Sequence, residues 1–386
     1  MAIELIRALF PKGEDVLPPL FNDTARAWVL NLLGGAYMVT GRPRDAISLV
    51  EKHNSIARKG FTSSLFFRDR AYRNLARGLV NLASCQIYVG DLTEAKHNLQ
   101  WANDLLHVLN DKSDSAMGHQ EIGLFFPYTG EFMQAHEELK VASDIFDSIG
   151  QDKVSTGSQV SAYRAQLFLL MDNASSAINA AKIAQSWAME WAKSGTPIER
   201  DFVQASWLIG ASLVAQICKA PVVAVENENR IFLEAESNLT EALARDRRAN
   251  LVEFEAPILL EFAKLRMAQA RLQSTEPKQP AAVIGHVDTV SSRTDEALQF
   301  ANEALSIADR CEYRLQQAEI HNFLAEWHWQ RAQWVKGEVF LPLRGALQQK
   351  AREHAERAKE RAWCDGPPYS YKVAYERAEE LLKTIQ

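Results

Sequence analysis

The sequence predicts an all-α chain coiled as a right-handed solenoid, a superhelix of about seven helix pairs with a capping helix at each end. Three observations carry that expectation. Seven times along 386 residues an alanine opens the same four-three-four spacing of small and apolar residues. Steps of three and four place each row on one face of a helix. No stretch sustains the period-two alternation of a half-buried strand. Turn residues stand five positions ahead of the early rows: Gly41, Gly90, Gly130, and Asp172 with Asn173. One unit recurring along the whole chain marks a repeat array, in which each unit packs only on its neighbours.

The rows run in order as Ala46/Val50/His53/Ala57, Ala95/Leu99/Ala102/Leu106, Ala135/Leu139/Ala142/Phe146 and Ala177/Ala181/Ala184/Ala188. Ala235/Leu239/Ala242/Asp246 follows and ends in a charge. Ala297/Ala301/Ala304/Ala308 and Ala351/Ala355/Ala358/Ala362 complete the set. A narrow stripe of small residues lets a neighbouring helix come close, so each row reads as the inner seam of a packed pair. A first helix precedes each row with its own apolar pattern, as in Leu30/Leu33/Gly34/Tyr37, Leu79/Leu82/Ala83, Ile122/Gly123/Phe126 and Leu167/Phe168. Glycine and asparagine accept the left-handed backbone that ends a helix, and short turns force antiparallel neighbours.

Residues 1–386 therefore read as one domain, with well-matched repeats over about 23–190, longer units over about 199–363 and a capping helix over about 370–385. Leading alanines are 49, 40, 42, 58, 62 and 54 positions apart. The extra length of the last units points to inserted loops at 219–229, 274–291 and 335–345, all between the two helices of a unit. Trp207 to Val225 reads as the most deeply buried helix. Trp363-Cys364-Asp365-Gly366-Pro367-Pro368 reads as a helix stop, with Gly366 as left-handed cap and prolines that cannot continue the helix.

A small residue in mid-helix, an aromatic three later, a glycine turn and then the alanine row resemble the tetratricopeptide repeat, a 34-residue helix–turn–helix unit. Leu33, Gly34, Tyr37, Gly41 and Ala46 carry the match, as do Leu82, Ala83, Gly90, Ala95 and Ala102, and Ile122, Gly123, Phe126, Gly130, Ala135 and Ala142. Ala2–Pro11, the stretch Arg68–Leu99 and the ending Ala362–Tyr369 look like the C-terminal repeat region of bacterial STAND-type signalling ATPases. That resemblance implies a sensor array beside an upstream NTPase domain, or a free-standing relative. This chain itself carries no GxxxxGK[ST] loop.

Composition sets further bounds. Hydrophobic residues make up 47% and charged residues 24%, which suits a folded chain. A formal charge of −6 argues against a nucleic-acid groove. Lys350, Arg352, Arg357, Lys359 and Arg361 alternate with Glu353, Glu356 and Glu360, as on a solvated helix face. The four cysteines lack zinc or disulfide spacing. No secretion signal or membrane span is visible, so a cytoplasmic protein is expected.

Catalytic and metal motifs fail in turn. His136-Glu137-Glu138-Leu139-Lys140 places a lysine where a zinc helix needs its second histidine. Gly210-Ala211-Ser212-Leu213-Val214 lacks the final glycine of a nucleophile elbow. His321 and His328 fall on one helical face but at repeat core positions. No catalytic residue, metal or cofactor is expected. The expected function is a non-catalytic scaffold that recognises a protein or peptide on the concave wall lined by first helices. Contact candidates are Asn31, Arg77, Gln120, Gln166, Asn322, Glu326 and Trp329. The alternative is a small-molecule-sensing superhelical domain, as in maltose-regulator-type proteins. It requires a closed pocket with convergent polar groups in place of an open groove.

Overall fold

The computed structural model describes residues 2–62, 65–109, 111–150, 155–219, 225–275, 283–335 and 338–385. They form α-helices and short 3-10 turns, with no strand among the described residues. After a short α1 (Ala2–Arg7), seven pairs follow in order. They are α2 (Asp23–Val39) with α3 (Pro43–Lys59), α4 (Leu65–Val89) with α5 (Leu92–Leu109), and α6 (Lys112–Thr129) with α7 (Phe132–Ser148). Next come α8 (Ser155–Leu170) with α9 (Ala174–Ser194) and α10 (Glu199–Lys219) with α11 (Val225–Ala249). The last pairs are α12 (Val252–Thr275) with α13 (Val283–Arg310) and α14 (Arg314–Trp334) with α15 (Leu341–Trp363); α16 (Lys372–Thr384) caps the array. Each helix packs most heavily on its own partner, and consecutive pairs stack as a solenoid.

All seven alanine rows form the inner seams. Every residue of every row is buried, none more than 7% exposed. Close approach is also built into the facing helices. A Cβ on Gly34 would stand 2.8 Å from Val50, one on Gly123 2.7 Å from Leu139, and one on Gly210 2.7 Å from Leu239. In each case a first-helix glycine receives the large second residue of its row. The turns behave as their residues dictate: Gly41, Gly90 and Gly130 have φ of 84°, 87° and 79°, and Asp172 takes the left-handed role with φ 61°. Asn173 then caps α9, its side chain accepting from the Ser176 amide at 3.1 Å.

Three expectations need correction. The extra length of the later units lies mainly in helix and much less in loops. Second helices grow from 17 residues in α3 to 25 in α11, 28 in α13 and 23 in α15. Of the expected loops, 225–229, 283–291 and 341–345 are helical, and residues 220–224, 276–282 and 336–337 lie outside the described residues. The apolar stretch from Trp207 belongs to α10 (Glu199–Lys219), residues 220–224 lie outside the described residues, and Val225 opens α11. Cys364, with φ 49°, directly follows α15, and Gly366 is left-handed two residues later.

α10 is the one helix among the described residues long and apolar enough to cross a membrane, but 67% of its most apolar window is buried inside the molecule.

The coil closes on itself. α2 meets α12, α4 meets α14 and α6 meets α16, so a first helix touches the first helix five pairs further along. At the first junction Tyr313 Oη donates to the Met38 carbonyl at 3.5 Å. From the segment between α15 and α16, Asp365 accepts from the Thr93 amide of α5 at 2.9 Å and Tyr371 donates to the Ile87 carbonyl of α4. Arg44 of α3 pairs with Glu312 in the turn between α13 and α14.

Candidate functional site: a lumen lined by first helices

Closure turns the concave wall into a chamber of about 440 Å³. Among the described residues its lining comes from α2, α4, α6, α8, α10, α12, α14 and α16, with Asp172 from the α8–α9 turn, and no second helix contributes. The volume falls in the range of about 300–1,000 Å³ typical of small-molecule sites. Its walls are apolar and aromatic, with Leu124, Leu169, Trp207, Phe254 and Leu260 among them. Trp207 and Phe254 form a tilted ring pair 5.9 Å apart.

Charged groups stand at intervals along this apolar wall. Arg200, in the first turn of α10, points its Nε at Glu253 Oε1 at 2.8 Å. Glu253 lies in the first turn of α12, where the helix dipole favours a carboxylate, and its other oxygen accepts from Tyr88 Oη at 3.3 Å. Three first helices thus meet at one carboxylate that is 1% exposed. Burial disfavours the Arg200 charge, but Glu253 overcomes this and holds the guanidinium pKa well above its ordinary value. Tyr88 is pushed up by burial and then by the Glu253 charge. Tyr163 and Glu121 adjoin the same cluster, and burial raises both. Beyond these groups lies a smaller compartment of about 370 Å³. It shares Met38, Ser84, Tyr163, Arg200 and Glu253 with the main chamber and adds Asn31, Arg77 and Asn81.

About three turns further along α12, Lys264 Nζ pairs with Glu261 Oε1 at 2.7 Å. Glu319 of α14 stands near, and its pKa is raised by burial against the opposing pull of Lys264. Lys219 pairs with Asp172 at 2.6 Å. Hydrogen-bonding capacity is left over on the wall: Gln166 Oε1, Gln316 Oε1 and Trp207 Nε1 are buried without a partner. Buried polar atoms left unpaired cost about 1–3 kcal/mol each, which a bound molecule or water would recover.

The sequence-chosen contact residues mostly perform another task. Asn81 donates to Asn31 at 2.8 Å, joining α4 to α2. Arg77 lies 3.8 Å from Asp114, which also takes Arg73, joining α4 to α6. Gln120 donates to Gln159 at 3.2 Å across α6 and α8. Asn322 donates to the Ala374 carbonyl at 2.8 Å, and Glu326 pairs with Arg377 at 2.6 Å, both between α14 and α16. These are polar staples between adjacent first helices. Gln166 alone of the seven lines the main chamber, Asn31 and Arg77 line the smaller one, and the half-buried Trp329 lines neither. The chamber's own charges were missed. Their signal was a charged pair inside an apolar helix, Glu261 and Lys264 amid Pro257-Ile258-Leu259-Leu260 and Phe262-Ala263.

His321 and His328 are buried, as their repeat positions require, and meet a third histidine from α15. His321 Nδ1 lies 3.0 Å from His354 Nδ1, and His328 stacks on His354 with ring centroids 5.4 Å apart. Burial lowers all three, His321 to about 3 and the other two to about 4, so the rings are neutral near pH 7. No group of three metal-ligating side chains suited to an ion occurs among the described residues.

No protein-family profile matches the chain, and no curated protein matches it.

Proposed function

We propose that this chain is a non-catalytic sensor scaffold that binds a small organic molecule in the chamber enclosed by its first helices. The observation that carries the reading is the convergence of polar groups from five first helices, with unpaired hydrogen-bonding atoms, on a partly open apolar chamber. The α2–α12, α4–α14 and α6–α16 contacts narrow the concave wall, which favours a small molecule over an extended peptide. The alanine seams and glycine turns support a tetratricopeptide-like array. The finer reading is a ligand-sensing module of a STAND-type or maltose-regulator-type signalling protein. In such a system the ligand acts by binding one arrangement of the coil better than another.

A thermal-shift screen of a chemically diverse small-molecule collection tests the proposal. At a hundred times its Kd a ligand adds about 2.7 kcal/mol of stability, a readily measured shift. The expected hits lose their effect in Ala215→Phe, which fills the chamber from α10, provided circular dichroism shows the variant folded. A protein or peptide partner that binds the wild type and Ala215→Phe equally well would overturn the reading.

A further inference from the structure

We infer that the chamber takes an organic cation, a protonated amine or amidine carried on an aromatic body. The inference rests on the small-molecule reading above and deepens it. The lining charges are three cations, Arg200, Lys219 and Lys264, against four carboxylates, Asp172, Glu253, Glu261 and Glu319. Three ion pairs account for all but one of them: Arg200 with Glu253, Lys219 with Asp172 and Lys264 with Glu261. Glu319 is left over. Among the described residues it makes no ion pair within 4.0 Å and no hydrogen bond, Lys264 acting on it only from further away, so the lining holds four carboxylates to three cations.

The surroundings of Glu319 suit a cation better than any other filler. Glu319 is half-buried and shares Lys264 with Glu261, so its charge is only partly offset, and a cation beside it would complete the compensation. Burial raises its pKa against the opposing pull of Lys264, a shift that a bound cation would reverse. Tyr128 on α6 stands close enough to feel its charge, and aromatic faces attract ammonium groups. One turn before Glu319 on α14 sits Gln316, 7% exposed, lining the chamber with Oε1 unpartnered. It offers an acceptor for an N–H beside the carboxylate. Trp207 and Phe254 supply a flat apolar surface for the body of the molecule, and the free Trp207 Nε1 can donate to a polar substituent on it. An anionic ligand would instead meet the excess carboxylate, and its natural partner Arg200 is already taken by Glu253.

Three probes of one shape and different charge decide the matter: tryptamine, tryptophol and indole-3-acetate. Isothermal titration should show tryptamine binding at least tenfold more tightly than tryptophol, about 1.4 kcal/mol, and indole-3-acetate more weakly than both. Glu319→Gln should erase the tryptamine preference while leaving tryptophol affinity within a factor of two or three. Ala215→Phe should abolish binding of all three. Equal or tighter binding of tryptophol or indole-3-acetate, lost in Ala215→Phe, would overturn the cation inference and leave the chamber reading standing. A tryptamine preference that survives Glu319→Gln would also overturn it, as would no binding of any probe at millimolar concentration. In that last case, hits from the diverse screen that Ala215→Phe abolishes would still support the chamber.

Discussion

At the scale of single residues the seam buries whatever stands in it, and Asp246 shows the consequence. It occupies the fourth place of the fifth row, where other rows carry alanine, leucine or phenylalanine, and it is 1% exposed with Oδ1 unpartnered. Burial, then the nearby Glu255 and Glu253 charges, lift its pKa to about 8. The row's spacing made its burial legible; its protonation was not, because both neighbouring carboxylates come from the next helix. A folded pKa above the unfolded value of 3.8 means that the native state binds the extra proton. Asp246 therefore gives its full contribution below about pH 4 and loses it as pH rises toward 8. Within that window the loss approaches about 1.4 kcal/mol per pH unit. Asp246→Asn should accordingly be more stable than the wild type at pH 8, with the difference shrinking toward pH 4. Urea midpoints across that range check this, and a wild type that is the more stable at pH 8 would show that the carboxylate is ionised and satisfied.

At the scale of elements, two kinds of contact build the array. Within a pair, the alanine row and a facing glycine or small residue set the helix separation, and this was readable because it depends on spacing along one helix. Between pairs, first helices are joined by side-chain staples such as Asn31–Asn81 and Glu326–Arg377. The sequence exposed the residues and hid the partners, which explains why staples were taken for ligand contacts. The histidine group on α14 and α15 belongs to the packing of the last pair and makes it sensitive to acid. The depressed pKa values mean that its contribution is complete above about pH 6.5 and declines as pH falls toward 4. The slope is up to about 1.4 kcal/mol per pH unit for each ring. His328→Phe keeps the stacking surface and removes one titrating ring whose Nδ1 is unpartnered. The variant should lose less stability between pH 6.5 and pH 5 than the wild type does. Equal losses in the two proteins would mean that His328 is solvated enough to charge in place.

At the scale of the whole molecule, the proposed function rests on closure. A seven-pair array that stayed open would present a groove; five pairs per turn bring α12, α14 and α16 onto α2, α4 and α6 and enclose a chamber. Nothing in a local period records this. Tyr88 and Glu253 are 165 positions apart, and the turn glycines that read only as helix stops also serve as docking points. A Cβ on Gly41 would press on Cys311, and one on Gly90 would stand 3.1 Å from Cys364 Sγ. The second of these proximities gives the most direct test of closure. In Gly90→Cys the new thiol should reach Cys364, the left-handed backbone costing about 1–2 kcal/mol and the Arg314 side chain moving aside. Mild oxidation of the folded, monomeric variant with diamide should join residues 90 and 364 within one chain, as read by peptide mass spectrometry. The bond should be absent when Cys364→Ser is added. A folded Gly90→Cys variant that stays reduced, or that links only between molecules, would mean that the coil is open and that the first helices enclose no chamber.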